Sequence, residues 1–344
     1  MTIHCVNPLE EAGWDEALAP LPGSAIFHGA AWTRVIQDTY AYRPFSFLGG
    51  AAGEPRSILS VMEVDSPLTG KRGVSLPFTD ECEPPGADAD SFPGLFRDAL
   101  DCARRRGWRY LEVRGGKTFL PEAPASTSYY GHRLDLRDGE SALYRRLDSS
   151  VRRALRKAEQ SGLTVEFSQE LAAVRDFHHL LRKTRQRHGM PPQPFKFFAN
   201  LHRHILAPNQ GRVVLARHNG VAIAGAVFFQ FGRTALFKFG ASDSAFQNLR
   251  ANNLVMWRAI EWHVRQGFTS LDFGRTSLDN EGLRRFKLSW GSQERPIEYI
   301  RYDLRTESFV RALDRSTGWH NRIFRLLPGP FAQAMGSVLY KHLG

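Results

Sequence analysis

The sequence predicts an α/β fold with two similar lobes, each a mixed β-sheet flanked by helices. The first observation is an internal repeat, because residues 99–113 and 259–273 both show a helix pattern, a glycine and a short apolar strand with one acidic residue. Glycine commonly ends a helix, since it enters the left-handed region without the steric cost of a Cβ. The second observation is that a predicted β-hairpin precedes each copy, at 45–64 and at 213–231.

The second hairpin is the more strongly marked, since Asn219-Gly220 between two apolar runs is typical of a two-residue turn. A stretch rich in Pro, Ala, Ser and Thr at 117–132 separates the halves. The pattern after this stretch alternates strands and helices and ends in a helical tail broken at Pro328-Gly329-Pro330. The predicted strands are 132–136, 163–167, 213–217, 221–231, 234–240, 270–273 and 297–302, and the predicted helices are 140–161, 170–187, 195–206 and 251–266.

These elements predict an N-terminal domain over residues 1–125, a C-terminal domain over 126–305 and an amphipathic helical tail over 306–344. The tail combines five basic and two acidic residues with large apolar side chains. Such a composition suits an interfacial helix on anionic lipid. A tail that packs its apolar face back on the body of the protein is the alternative.

The composition is that of a folded protein, with 42% hydrophobic and 24% charged residues. No apolar stretch approaches the roughly 18 residues that span a bilayer, and no signal-peptide pattern opens the chain. Cys5, Cys82 and Cys102 have no close or metal-like spacing, which favours a reducing compartment and core roles over a catalytic thiol. We therefore expect a cytoplasmic protein, with peripheral contact at the inner face of the membrane through the tail as an alternative. The net charge of +11 favours anionic partners.

The densest group of polar and charged residues lies between Gly240 and Gly291. It begins with a polar loop that leads from a strand into a helix and includes Arg250, Asn252 and Asn253. Backbone N–H groups and the positive dipole end at a helix start suit a phosphate group, and Arg250 adds charge. Capping of the helix is the alternative role for the two asparagines.

Two further candidates follow in the same region. Asp272 and Arg275 lie at the carboxyl end of a strand, where α/β sheets usually place ligands. Asp272 is either a general base or a structural group that caps the turn and orients Arg275. Lys287 on the next short helix is a candidate to stabilise a developing oxyanion, and a plain surface lysine is the alternative.

A basic helix is predicted at 140–161, with an apolar stripe at helical spacing. The basic residues off that stripe form either a solvated basic face or a cradle for the phosphates of tRNA, CoA or an acceptor, and they are Arg145, Arg152, Arg153, Arg156 and Lys157. Arg152, Arg156 and Lys157 are the candidates for the site. His188, next to a glycine, is a further candidate for the acceptor site. No metal site is expected, because the histidine pairs lack the i,i+4 spacing that places two ligands on one helical face.

The motifs Asp-Phe-Gly-Arg at 272–275 and Gly-Leu-x-x-Phe-Lys-x-x-Trp-Gly at 282–291 resemble the signature of the FemAB-like, tandem-GNAT proteins. This group includes the bacterial peptidyl-bridge aminoacyltransferases and acetyltransferase-like proteins linked to exopolysaccharide loci. The resemblance covers roughly residues 1–303. Its other matches are Phe27 with Trp32, Val151 to Gly162, and Thr184 to Pro191.

The resemblance implies a duplicated GNAT fold and an enzyme that transfers an acyl or aminoacyl group to an amine, or a hydroxyl, of a cell-envelope glycan or peptidoglycan precursor. Phe286 would wall in the donor, and Lys287 would stabilise the tetrahedral oxyanion. The donor would be acyl-CoA or aminoacyl-tRNA, acting as a co-substrate rather than as a tightly bound cofactor. The chain departs from ordinary GNAT enzymes in having no glycine at 242–250, and from some peptidyl-bridge enzymes in lacking a long coiled-coil insertion.

The N-terminal domain is expected to be non-catalytic, since its strand end at 113–116 is not followed by a helix with a Phe-Lys pair. A different class of function remains as the alternative. In that class the chain is a non-catalytic GNAT-fold binding protein for nucleic acid or a lipid-linked carrier.

Overall fold

The computed structural model describes residues 3–51, 54–311 and 339–342. The strands in this part of the chain are β1 (Ile3–Val6), β2 (Arg43–Ala51), β3 (Glu54–Val64), β4 (Arg72–Val74), β5 (Tyr110–Val113), β6 (Thr127–Asp135), β7 (Thr164–Ser168), β8 (Gly211–His218), β9 (Val221–Phe231), β10 (Thr234–Ser242), β11 (Ser270–Ser277), β12 (Gln293–Asp303) and β13 (Ser308–Phe309). The α-helices are α1 (Trp14–Leu18), α2 (Ala30–Tyr40), α3 (Phe92–Arg106), α4 (Gly139–Arg146), α5 (Ser149–Glu159), α6 (Leu171–Arg187), α7 (Phe195–Leu201), α8 (Ala251–Arg265) and α9 (Glu281–Leu288). Short 3₁₀ or π-helical turns lie at 26–28, 117–119, 202–206 and 244–249.

The chain divides into two compact units. Among the described residues, the first unit holds those up to Tyr129 together with 296–311 and 339–342, and the second unit holds 130–295. Each unit is a mixed sheet with helices packed against it, so the predicted α/β class with two similar lobes is confirmed.

The sheet of the first unit has the strand order β1-β2-β3-β4-β5-β12, with β13 paired to β12. Neighbouring strands are antiparallel except β4 and β5, which are parallel. Helix α3 packs on this sheet through an apolar stripe at helical spacing that begins at Phe92 and includes Leu95, Phe96 and Ala99. The helix ends at Gly107, which has a φ of 67° and donates to two carbonyls of the last turn.

The sheet of the second unit has the strand order β6-β11-β10-β9-β8-β7. From β7 to β10 neighbouring strands are antiparallel, and β10 and β11 are parallel. Alternate residues of a strand point to opposite sides of the sheet, and in β9 both sides are covered by helices. Ala226 and Phe228 join the cluster that contains α5 and α8 residues. Gly225 faces α6, where an added Cβ would come within 3.2 Å of the Phe177 ring.

The predicted hairpin of the second unit is confirmed in detail. Strands β8 and β9 pair antiparallel around Asn219 and Gly220, whose φ angles are 50° and 79°. Positive φ at both central residues is the geometry of the turn that matches the natural twist of a hairpin. The repeat of helix, glycine and strand also holds, since Gly267 separates α8 from β11 as Gly107 separates α3 from β5.

Two predicted elements differ from the structure. The single helix predicted at 140–161 is two helices, α4 and α5, with a break at Leu147-Asp148 where the Asp148 carboxylate accepts a hydrogen bond from the Ser150 backbone N–H. The described start of the predicted tail is strand β13 rather than helix. Residues 312–338 of that tail lie outside the described residues. Among the described residues no helix has the length and apolar character needed to cross a membrane.

Candidate active site

An open cleft of about 960 Å³ lies in the second unit, between α5, the start of α8 and α9. Its apolar lining includes Val151, Phe286 and Leu288. Its charged lining is strongly basic, with five cationic side chains and one carboxylate: Arg146, Arg153, Lys157, Arg250, Arg285 and Asp148. A concave surface with one sign of charge concentrates ligands of the opposite sign, so the cleft favours an anionic ligand.

The sequence around α5 explains why the basic groups point the same way. Ser150, Arg153 and Lys157 are three or four positions apart on α5, and such positions share one face of a helix, while Arg146 ends α4 just before the break. Leu155, on the opposite side of α5, is buried in the core. The hydrogen bond from Ser150 lowers the pKa of Asp148, so the single carboxylate of the cleft is ionised at neutral pH.

The start of α8 brings Arg250 and Asn253 to the cleft. Arg250 has a φ of 59°, a conformation that only a few non-glycine residues adopt, and its carbonyl accepts from the Asn253 backbone N–H. Asp243 fixes the preceding turn, because it caps the Ala245 backbone N–H and binds Lys183 of α6 at 2.6 Å. The loop is therefore held from both sides, and it presents Arg250 at the helix start.

Strands β10 and β11 pair over a short length only. The parallel register runs from Thr234–Leu236 against Ser270–Asp272, although the strands continue to Ser242 and Ser277. A bulge at Lys238 shifts β10 against its other neighbour just after this point. Early loss of pairing with a bulge is a typical way to re-aim backbone groups beside a functional site.

Lys287 lies on the buried side of α9 and is 2% exposed. Its ammonium donates to the backbone carbonyls of Gly274 and Arg275 on β11, both at 2.9 Å. Gly274 has a φ of 68° and its backbone N–H donates to the Asp272 carboxylate at 2.6 Å. Lysine and aspartate together therefore fix the turn in β11 that follows the end of the β10–β11 register.

The comparisons with known proteins agree with this geometry. Residues 145–288, which include strands β10 and β11 and all the residues named above as lining the cleft, match the family described as acetyltransferase (GNAT) domain. The second unit carries a GNAT acetyltransferase domain. No curated protein matches the chain. At the level of the domain, the acyltransferase class implied by the motifs is confirmed.

Several solved structures share the fold over most of the chain, GNAT domain included. FemX has a TM-score of 0.69 at 14% identity, with 87% of this chain and 97% of that chain covered. A tandem GNAT protein from the clavulanic acid biosynthesis pathway has a TM-score of 0.57 at 11% identity, with 88% and 98% covered. The C-terminal domain of a putative lysylphosphatidylglycerol synthetase from Agrobacterium fabrum has a TM-score of 0.55 at 14% identity, with 83% and 90% covered. At these identities the likeness is one of fold, and it confirms the predicted tandem GNAT architecture.

The GNAT domain brings four of the predicted site residues together, since Phe286, Arg250, Asn253 and Lys157 all line the cleft. Phe286 also contacts the buried Trp290 ring, at 6.0 Å between centroids, so its position is fixed from the core. Arg250, Asn253 and Lys157 are polar, and Phe286 is the aromatic residue predicted to lie against the donor. The grouping supports a donor-binding role for this cleft.

The other predicted site residues do not line the cleft. Asn252 donates to the Ser242 hydroxyl, Arg152 donates to the Arg145 carbonyl, and His188 ends α6. Arg156 is exposed on α5. The remaining three, Asp272, Arg275 and Lys287, belong to the β11–α9 connection described above.

Asp272 has neighbours that the sequence did not suggest. Its carboxylate lies 3.8 Å from Arg133 and 3.7 Å from Arg295, and it caps the Gly274 backbone N–H. This geometry matches the structural alternative of the sequence analysis, with the cap present and other arginines next to the carboxylate. A catalytic role for Asp272 stays a prediction.

A buried histidine lies close enough to Lys287 to feel its charge. His132 is fully buried, and its Nε2 is 3.1 Å from Glu294. Burial lowers the pKa of His132, and the charge of Lys287 lowers it further. Arg284 binds Glu294 with two hydrogen bonds and lowers the pKa of that carboxyl. The cluster keeps His132 neutral and Glu294 ionised at neutral pH.

Two cationic residues of the cleft, Arg146 and Arg285, were missed by sequence reasoning. Arg153 was predicted on the basic face of the helix but was not singled out as a site residue. Arg146 precedes the unpredicted break, and Arg285 only becomes a lining residue once α9 is placed. Among the described residues no group of three His, Cys, Asp or Glu side chains is placed to hold a metal ion.

Proposed function

We propose that the GNAT domain binds a phosphate-bearing acyl donor, acyl-CoA or aminoacyl-tRNA, in the basic cleft and transfers its acyl group to an amine. The supporting observation is the convergence of five cations with Phe286 beside the start of α8. Both donors join a polyanionic carrier to an activated acyl carbonyl. The cations suit the carrier, and the aromatic side chain suits the less polar portion near the reacting group.

The chemistry needs a polarised carbonyl and a positioned nucleophile. The acceptor amine attacks the donor carbonyl, the C–N bond forms, and the carrier leaves with the electron pair when the tetrahedral intermediate collapses. The proton that the amine loses ends on the leaving sulfur or oxygen of the carrier. Backbone N–H groups of β10 beyond Leu236, where the register with β11 ends, are our candidates to hold the oxyanion. Lys287 can join them only if its ammonium leaves the carbonyls of Gly274 and Arg275 when the donor binds.

For the acceptor we propose an amine, or a hydroxyl, of a cell-envelope glycan or peptidoglycan precursor. This part rests on the motif resemblance and on the fold likeness to FemX and to a protein named as a putative lysylphosphatidylglycerol synthetase. Both donor and acceptor act as co-substrates in this scheme, with no tightly bound cofactor. Peripheral contact with the inner membrane face through residues 306–344 is part of the same proposal.

The test is donor affinity in paired variants of one helix. The double variant Arg153→Ala, Lys157→Ala removes two cleft cations, whereas Arg152→Ala, Arg156→Ala removes two arginines of α5 that do not line the cleft. Each lost charge-assisted contact costs on the order of 1 kcal/mol or more, so we expect at least tenfold weaker donor binding in the first variant. The second variant should stay within about twofold of wild type by the same arithmetic.

Calorimetric titration with acetyl-CoA, and with a short aminoacylated RNA, provides the measurement at physiological salt. Binding of one donor with the expected order of the two variants supports the proposal and identifies the donor. Equal weakening in both variants would show that general charge and not the cleft holds the ligand. Steep salt dependence with no acyl transfer to any amine would instead favour the non-catalytic binding protein.

A further inference from the structure

Two of the three cysteines lie next to each other in the first unit, although they are far apart in the sequence. Cys5 is on β1, the first strand in the order of that sheet, directly opposite Phe47 of β2. Directly opposed side chains share one face of a sheet. Phe47 belongs to the buried cluster that also contains Cys102 near the end of α3. Cys5 therefore points toward the helix that carries Cys102.

The two thiols are close enough to change each other's pKa. The Cys5 thiol, together with the nearby Arg105 and Arg106, lowers the pKa of Cys102 to about 7. The Cys102 thiol raises the pKa of Cys5. A coupled pair of this kind loses its first proton easily and its second with difficulty. One thiolate is therefore present in the pair near neutral pH, and thiolate is the reactive form of cysteine.

The surroundings make the pair accessible from one side. Cys5 is exposed, whereas Cys102 is buried against the sheet. The third cysteine differs, because the buried Cys82 thiol donates to the Thr79 hydroxyl at 3.2 Å. Only one of the three possible cysteine pairings is therefore prepared by the fold.

We propose that Cys5 and Cys102 are a thiol–disulfide site that closes reversibly when the protein meets hydrogen peroxide. In the first step the thiolate sulfur attacks the O–O bond, an S–O bond forms, and the released hydroxide takes up a proton to give water. In the second step the other thiol attacks the sulfenic sulfur, the S–S bond forms, and a second water leaves. The two thiols lose two electrons and two protons in total, and one peroxide becomes two waters. A small-molecule dithiol reverses the reaction by exchange.

The disulfide would tie the edge strand β1 to α3 within the first unit. This modification is independent of the acyl-transfer proposal, because both cysteines lie in the first unit and the cleft lies in the second. It requires no substrate and can be measured on the protein alone.

The test is a non-reducing peptide map of the full-length protein before and after treatment with hydrogen peroxide, followed by alkylation of the remaining thiols under denaturing conditions. We expect a linked peptide that contains Cys5 and Cys102, lighter by two hydrogen atoms and lost again after dithiothreitol. The Cys82→Ser variant is the matched control and should give the same link. Cys5→Ser and Cys102→Ser should each give none.

Wild-type protein in which Cys5 and Cys102 both remain alkylatable after peroxide would overturn the proposal. So would a Cys5 oxidised to sulfinic acid without a linked peptide, because that outcome shows a lone exposed thiol. A link that instead includes Cys82 would do the same, since it requires the fold to open first. The wild-type map decides the question even if a serine variant folds poorly.

Discussion

Lys287 illustrates how a residue that stands out in a sequence can have its main contacts away from the expected ligand. The two residues of the Phe-Lys pair on α9 have different surroundings. Phe286 lines the cleft, while the Lys287 ammonium is buried against β11. Adjacent helical residues point about 100° apart, so both cannot face the same ligand from one helix. Lys287 therefore acts first on the shape of the β11 turn, and any direct contact with the donor requires it to move.

This arrangement predicts a stability effect of Lys287. The variant Lys287→Met keeps the length of the side chain but leaves two buried carbonyls without their charged donor. We expect the free energy of unfolding to fall by about 2 kcal/mol, the usual range for a hydrogen bond to a charged group. Urea unfolding measures the change, and Arg285→Met on the exposed side of α9 is the control. An unchanged midpoint for Lys287→Met would show that the ammonium is not held by β11 in solution.

The residues of α5 show which features of a basic helix the sequence predicts and which it does not. Lys157 was predicted and lines the cleft, while Arg152 and Arg156 were predicted and do not. Arg153 is one position from Arg152 and lies in the phase of Lys157. Periodicity separated the buried stripe from the polar surface, but it could not say which part of that surface would meet α8 and α9.

At the scale of elements, the sequence predicted the pieces with a local stop signal and missed those without one. The glycines after α3 and α8 and the Asn-Gly turn between β8 and β9 fixed their elements within a few residues. The break between α4 and α5 was hidden, because Leu143, Leu147, Val151 and Leu155 keep helical spacing across it. All four pack in one core cluster, so the apolar pattern is continuous although the backbone is not.

Variants of Asp148 can separate its role as the cap of α5 from the effect of its negative charge on the cleft. Asp148 caps the helix and is also the one carboxylate among the charged residues that line the cleft. Asp148→Asn keeps an acceptor for the Ser150 N–H but removes the negative charge, so we expect an unchanged melting temperature and severalfold tighter donor binding. Asp148→Ala loses the cap and should melt at a lower temperature. Thermal melting and donor titration of the two variants provide the measurement, and weaker donor binding in Asp148→Asn would contradict it.

At the scale of the molecule, each unit contains a buried neutral histidine. Burial lowers the pKa of His28 in the first unit and of His263 in the second to about 4. His28 accepts a hydrogen bond from the Ala25 backbone N–H through Nδ1, and this bond is lost when that nitrogen takes a proton. His263 Nδ1 is 2.7 Å from the Ala259 carbonyl, which places its proton on that nitrogen.

Acid should therefore destabilise both units in the same pH window. Unfolded histidine takes up its proton below about pH 6.5, whereas the folded groups resist protonation down to about pH 4. The contribution of each is complete above pH 6.5 and is lost as the pH falls, by about 2 kcal/mol at pH 5. We expect His263→Gln to lose less unfolding free energy than wild type between pH 7 and pH 5 in urea titrations. The exposed His179→Gln should behave as wild type, and equal losses in all three proteins would refute the assignment.

The whole-molecule architecture was predictable because the chain repeats itself. Duplication places two sets of hairpin, helix and strand in order, and each set forms a mixed sheet with its helices. The candidate site was only partly predictable, since a cleft is made by elements distant in the chain. Arg250, Arg285 and Arg153 come from three such elements, and no local pattern contains their meeting point.

The basic cleft also has a consequence for the protein in a cell extract. We expect a surface with five cations and one carboxylate, on a chain with a net charge of +11, to bind nucleic acid fragments and other polyanions during purification. Bound polyanions would occupy the basic cleft and raise absorbance at 260 nm relative to 280 nm. Washing the immobilised protein with high salt releases them, since each neutralised phosphate adds to the salt dependence of binding. A weak affinity measured on unwashed protein would reflect this competition and not the cleft itself.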